Sequence, residues 1–213
     1  MTDFEIRADI IATAREMLEK GLVQGTGGNF SVRCAKGFII TPSGMDYAAL
    51  APEDLPKLSL DGEVLEGGRR PSIERELHRA VYLARADAAA VIHTHSVYAT
   101  AAASLRRPLP VLTDNQAVLF GGEIPVAEYA PIGTSELARS AVGALGSGGG
   151  VLLANHGVLC VGSSLKEAAL RCGMLEIFAK IFFLTQSCGG GVPLTREEAR
   201  LLSADVAGRY GQR

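Results

Sequence analysis

Apolar positions recur at helical spacing from residue 4 to 20, where Ile6, Ile10, Ala14, Met17 and Leu18 share a face and Gly21 supplies a natural stop. Two short strands are expected around 29 to 41, then a polar hairpin at Asp61-Gly62. A second helical pattern opens at Ser72: Ile73, Leu77, Ala80 and Val81 fall at i, i+4, i+7 and i+8, with Ser72 as N-cap and Glu74 in the first turn. A strand follows over 89–95, and 96–105 reads as helix. Beyond it, 124–126 suggests a strand, 134–145 a helix, and 151–161 a pair of strands broken at Asn155-His156-Gly157. Ser163 or Ser164 then caps a helix reaching residue 187 or so, and Thr195 with Glu198 makes a capping box for the last one. Strands and helices alternate without a regular βαβ rhythm, which predicts a mixed, mostly antiparallel central sheet flanked by helices.

Composition narrows the class. With 213 residues, 47% of them hydrophobic, and no Pro- or Ser-rich linker, residues 1–213 read as one domain with a substantial core. The formal net charge is −2 and basic pairs occur only at Arg69-Arg70 and Arg106-Arg107, which argues against nucleic acid or an anionic membrane as partner. The longest apolar runs, near 177–184 and 88–92, are too short to span a bilayer. Cysteines at 34, 160, 172 and 188 show no Cys-x-x-Cys spacing and follow no secretory segment, so reduced thiols and a cytoplasmic location are expected.

Histidine usage changes the picture most. Of four histidines in the chain, two form the pair His93-x-His95 at the end of a predicted strand. Side chains repeat direction every second residue of a strand, so both imidazoles face one way. His156 follows another apolar run, and three neutral imidazoles on two strand ends leave coordination positions open, as a catalytic Zn²⁺ site requires. Taken alone, His-x-His more often marks core or solvent-facing histidines. Glu74 beside such a metal can serve as a general base and return the proton. His78, four residues on and on the same helical face, is expected to support the structure rather than hold metal.

A glycine-rich turn, Gln24-Gly25-Thr26-Gly27-Gly28-Asn29-Phe30-Ser31, precedes the first strand, and Thr41-Pro42-Ser43-Gly44 closes the next. Glycines let backbone N–H groups approach an anion, and Asn, Ser and Thr add neutral donors, which suits phosphate. The spacing matches neither a P-loop nor a dinucleotide fingerprint. A plain hairpin turn is the competing reading.

Taken in order, Gly-Thr-Gly-Gly-Asn-x-Ser, Thr-Pro-Ser-Gly, Pro-Ser-x-Glu, His-x-His and Asn-His-Gly resemble the class II aldolase/adducin family over nearly the whole chain. The resemblance implies an α/β fold, a three-layer α/β/α sandwich, assembled as a homotetramer whose subunits share active sites. It implies a zinc ion, or another divalent metal, on His93, His95 and His156, with Glu74 moving protons. Substrate phosphate would rest on Gly28, Asn29, Ser43, Gly44 and Ser72. Tyr210, followed by Gly211, matches a C-terminal tyrosine that protonates the aldehyde oxygen in a neighbouring subunit's site.

Two positions depart from the pattern. Ile73 stands where a second serine precedes the Glu, and no tyrosine occurs at Asp114-Asn115. The expected reaction is reversible cleavage of a ketose 1-phosphate to dihydroxyacetone phosphate and an aldehyde. Decarboxylation of a phosphorylated 3-oxo acid is an alternative on the same fold, and a non-catalytic interaction module is a third reading. The intact histidine set argues against the last.

Overall fold

The computed structural model describes residues 1–209. Helix α1 (Asp3–Glu19) starts at a capping box in which Thr2 and Glu5 satisfy each other's backbone N–H groups. It buries Ile6, Ile10, Ile11, Ala14 and Met17. Strands β1 (Asn29–Cys34) and β2 (Gly37–Ile40) form the first hairpin. The turn at Asp61-Gly62 joins two short strands, β3 (Lys57–Leu58) and β4 (Val64–Glu66). Helix α2 (Arg75–Ala84), strand β5 (Ala90–Thr94) and helix α3 (Val97–Ser104) come next.

After them come α4 (Asp114–Phe120), β6 (Val126–Ala127), α5 (Ser135–Leu145), β7 (Gly150–Leu153), β8 (Gly157–Gly162), α6 (Leu165–Gln186) and α7 (Arg196–Arg209). Ser164 caps α6, Thr134 caps α5, and Thr195 exchanges hydrogen bonds with Glu198 at the start of α7. Each such cap is worth about 1 kcal/mol.

The eight strands form one sheet in the order β4-β3-β2-β1-β5-β8-β7-β6. Only β6 and β7 run parallel; the other neighbours are antiparallel. One face carries a core of Ile10, Phe30, Ile92, Cys160, Leu175 and Phe178 under α1, α3 and α6. The opposite face packs Ile40, Val91 and Leu159 against Leu77 and Val81 of α2 and Leu137 and Ala141 of α5. Helices therefore cover both faces of a mixed sheet, as a three-layer α/β/α arrangement requires. Among the described residues no helix is long and apolar enough to cross a membrane, and the four cysteines are free thiols.

Three local expectations need correction. Helix α2 begins at Arg75 rather than at Ser72, and Glu74 occupies its N-cap. The reason is a tight turn: the Ser72 hydroxyl accepts from the Glu74 N–H and the Ser72 carbonyl from the Arg75 N–H, while the Ser72 N–H is committed to Thr41. Ile124 pairs only in an isolated bridge with Leu109, so the sheet strand begins two residues later, at Val126 of β6. Helix α4 was not expected, although Thr113 caps it and Gly121 closes it at φ 77; two turns are too short to show a clear period.

Candidate metal centre

Strand pairing builds the centre. Asn29 of β1 lies opposite His93 of β5, and His93 lies opposite Leu159 of β8. His95 follows the end of β5 and shares its direction with His93. His156 comes from the tight turn between β7 and β8, where Asn155 takes a left-handed φ of 54 and the His156 N–H bonds back to Leu153. Small polar residues such as Asn tolerate that backbone. Glu74 reaches in from the start of α2.

One ligand atom from each of Glu74, His93, His95 and His156 lies within 4.8 Å of the others. The Nε2 atoms of His93 and His95 are 2.8 Å apart. Glu74 Oε2 is 3.2 Å from His93 Nε2 and Oε1 is 3.5 Å from His156 Nε2. His93 donates from Nδ1 to the Val158 carbonyl at 2.9 Å, which leaves the Nε2 lone pair aimed into the cluster.

This donor set fits a divalent cation. Both ring nitrogens of His156 and Glu74 Oε1 are buried without a hydrogen-bond partner among the described residues. Each buried polar group left unsatisfied costs about 1–3 kcal/mol, and a cation at the point where the lone pairs converge satisfies Glu74 Oε1 and one His156 nitrogen together.

The electrostatics agree. Burial alone would raise the Glu74 carboxyl, but the His93 and His156 imidazoles and the Asn29 amide outweigh it and hold it ionised, at about 2. Burial, reinforced by His93, pushes His95 and His156 down to about 4, so both are neutral and able to coordinate near pH 7.

The turn before β1 is pressed against this cluster. Gly28 sits at φ 76, and a Cβ there would lie 2.6 Å from the His93 carbonyl oxygen. Gly157 is just as confined: a Cβ would lie 2.4 Å from the Thr94 carbonyl and 2.8 Å from the His95 ring. Asn29 is buried and donates from Nδ2 to Glu74 Oε2 at 2.8 Å. Ser72 is buried beside Glu74, whereas Ser43 and Gly44 are exposed on the neighbouring turn. That turn is tied to the Ser72 segment by the Pro42–Pro71 bridge and by the Ser43 N–H to the Arg70 carbonyl. Asn29, Ser72 and Glu74 are thus brought together, with Ser43 and Gly44 on the adjoining turn. Tyr210 lies outside the described residues.

Several contributors were not foreseen. Tyr47 donates to the Gly28 carbonyl at 2.6 Å and so braces the glycine turn. Ser31 and Tyr82 hydrogen-bond at 2.8 Å behind Asn29, with His78 between them and the site. The alternation of Asn29 and Ser31 along β1, and the four-residue spacing of Glu74, His78 and Tyr82 along α2, were the available signals.

Comparison with known proteins places the chain in a family. A 5-deoxy-D-ribulose 1-phosphate aldolase of Bacillus thuringiensis is 38% identical over 209 residues, 97% of each chain. An L-fuculose phosphate aldolase of Escherichia coli is 35% identical over 209 residues, 98% of this chain and 97% of that one. A solved structure of an L-fuculose 1-phosphate aldolase superposes with a TM-score of 0.92 at 37% identity, covering 95% of this chain and 96% of that one. Residues 8–183 match the family described as Class II Aldolase and Adducin N-terminal domain. With residues 8–183 matching the family model and relatives matching over nearly their whole length, the chain belongs to the class II aldolase and adducin family.

Proposed function

We propose that the chain cleaves a ketose 1-phosphate reversibly to dihydroxyacetone phosphate and an aldehyde, the substrate resembling L-fuculose 1-phosphate or 5-deoxyribulose 1-phosphate. It is a lyase by its family and by its aldolase relatives. The observation that carries the reading is the convergence of Glu74 and three histidines at one point beside a glycine turn. His93, His95 and His156 hold the cation, for which zinc is the proposed identity because three imidazoles with open positions are a recurrent catalytic zinc donor set. That cation supplies Lewis acidity toward the oxyanion developing on the three-carbon fragment.

The chain's own residues do the rest. Gly28, Asn29, Ser43, Gly44 and Ser72 receive the phosphate through backbone and side-chain donors. In condensation, Glu74 removes a proton from the hydroxyl-bearing carbon of dihydroxyacetone phosphate; in cleavage it returns that proton. Tyr210 is proposed, on the motif match alone, to protonate the aldehyde oxygen in a neighbouring subunit's site. A cytoplasmic homotetramer belongs to the same proposal.

Retro-aldol assays on a panel of ketose 1-phosphates, read by dihydroxyacetone phosphate release, test it. Turnover that disappears with chelation and returns with metal is the expected result. Full turnover in metal-free protein, or no cleavage of any panel member by metal-loaded protein, overturns it.

A further inference from the structure

Behind Glu74 runs an unbroken line of buried hydrogen bonds that no metal ligand needs. Asn29 Nδ2 donates to Glu74 Oε2 at 2.8 Å, Asn29 Oδ1 meets His78 Nε2 at 2.5 Å, His78 Nδ1 meets the Ser31 hydroxyl at 2.6 Å, and Ser31 meets the Tyr82 hydroxyl at 2.8 Å. His78 is fully buried.

The direction of every bond follows from one end. An ionised carboxylate only accepts, so Asn29 must turn its NH₂ toward Glu74 and its carbonyl toward His78. His78 Nε2 must then carry the proton, and a neutral ring leaves Nδ1 to accept from the Ser31 hydroxyl. Ser31 in turn accepts from Tyr82. No group in the line is free to reverse without leaving two acceptors face to face.

Two periodicities make the line possible. Glu74, His78 and Tyr82 are spaced by four residues along α2, about 6 Å per step, and Asn29 and Ser31 by two along β1, about 6.6–6.8 Å. Helix and strand steps nearly match, so each helix side chain meets the strand side chains in register.

We propose that His78 is a positioning residue: locked as the Nε2–H tautomer, it fixes the polarity of the Asn29 amide so that NH₂, never the carbonyl, faces the anions of the site. A flipped amide would set its carbonyl oxygen against Glu74 and against substrate phosphate. The Asn29 NH₂ has a second hydrogen beyond the one given to Glu74, and this is the donor left for phosphate. The phosphate part of the proposal rests on the function proposed above; the tautomer does not.

The test uses the metal-loaded protein with His78→Gln, which keeps a donor at about the same reach, and His78→Leu, which keeps bulk but no donor. Both variants should retain metal. His78→Leu should lower the preference in kcat/KM for the phosphorylated ketose over its unphosphorylated counterpart by roughly ten- to a hundredfold, the worth of one hydrogen bond to a charged group. His78→Gln should recover most of it, which a merely space-filling role would not produce. An unchanged preference in His78→Leu, or equal losses in the two variants, overturns the proposal.

A wild-type protein with no phosphate preference overturns instead the assignment of Asn29 to phosphate, and is recognised because it needs no variant. Should His78→Leu fail to fold, ¹⁵N NMR of histidine-labelled wild-type protein decides. A neutral Nε2–H ring supports the proposal, and a neutral Nδ1–H ring or a doubly protonated one at pH 7 overturns it.

Discussion

Asn29 and His93 face each other across the β1–β5 ladder, so the residue ending the glycine turn and the most buried metal-facing histidine share one register pair. Side chains directly opposite on antiparallel strands lie only about 4.5–5.5 Å apart at Cβ. Anything that shifts β1 along β5 therefore disturbs both halves of the site together.

Gly28 tests that dependence. A left-handed residue with a Cβ loses about 1–2 kcal/mol, and here the added atom also meets the His93 carbonyl at 2.6 Å. Gly28→Ala should lower Tm by at least several degrees and should weaken metal binding as well, although Gly28 offers no ligand. Calorimetry and metal content after dialysis check both. A variant with wild-type Tm and metal content would show the turn to be independent of the cluster.

Replacing any of His93, His95 or His156 by Ala should reduce bound metal from about one per chain to near zero and abolish cleavage, because each supplies one of three imidazoles. Metal analysis of purified variants decides. His78→Ala, by contrast, should leave metal in place.

Glu74→Gln separates proton transfer from metal holding. The variant should retain metal and lose kcat by about 10²- to 10⁴-fold, the usual worth of general acid–base catalysis. Loss of metal with unchanged turnover per bound ion would make Glu74 a ligand and nothing more.

The metal-stripped protein should show a distinctive pH dependence. Burial lowers His95 and His156 to about 4 from an ordinary 6.5, so between those values the unfolded chain binds more protons than the folded one. Stability must then fall as pH drops from 6.5 toward 4, with no further contribution from these groups below that window. Melting curves of chelated protein should show the fall, and replacing both residues by Asn should lessen it, the remainder coming from His78, which burial lowers to about 3. A double variant with an unaltered slope would place the titration elsewhere.

The order of elements and the mixed sheet were legible because periodic segments such as 3–19 and capping residues such as Thr134, Ser164 and Thr195 act locally. One short piece was not: α4 packs on α7, which local spacing does not encode, whereas the Asp61-Gly62 turn did announce the hairpin of β3 and β4. The same division holds in the site. His93, His95 and His156 stand out by residue type and strand position. Ser31, Tyr82 and Tyr47 do not, since a hydroxyl on a strand or helix becomes meaningful only when another element sets a partner within 3 Å of it. The start of α2 was misplaced for a related reason: Ser72 does accept the expected local bond, but one turn earlier than the helix.

Gly28 and Gly157 have a consequence for how such a protein can diversify. At both, the main chain itself forms the wall against His93 and His95, leaving no side chain there to exchange. The floor of the site consequently resists substitution. Side chains free to vary lie outside it, such as Ile73, 55% exposed between Ser72 and Glu74, and Ile132, 52% exposed next to the glycine that packs on the Ile73 carbonyl. Substitutions at such exposed positions usually change stability by less than about 0.5 kcal/mol. Change is thereby steered toward the exposed positions and away from the backbone that holds the histidines.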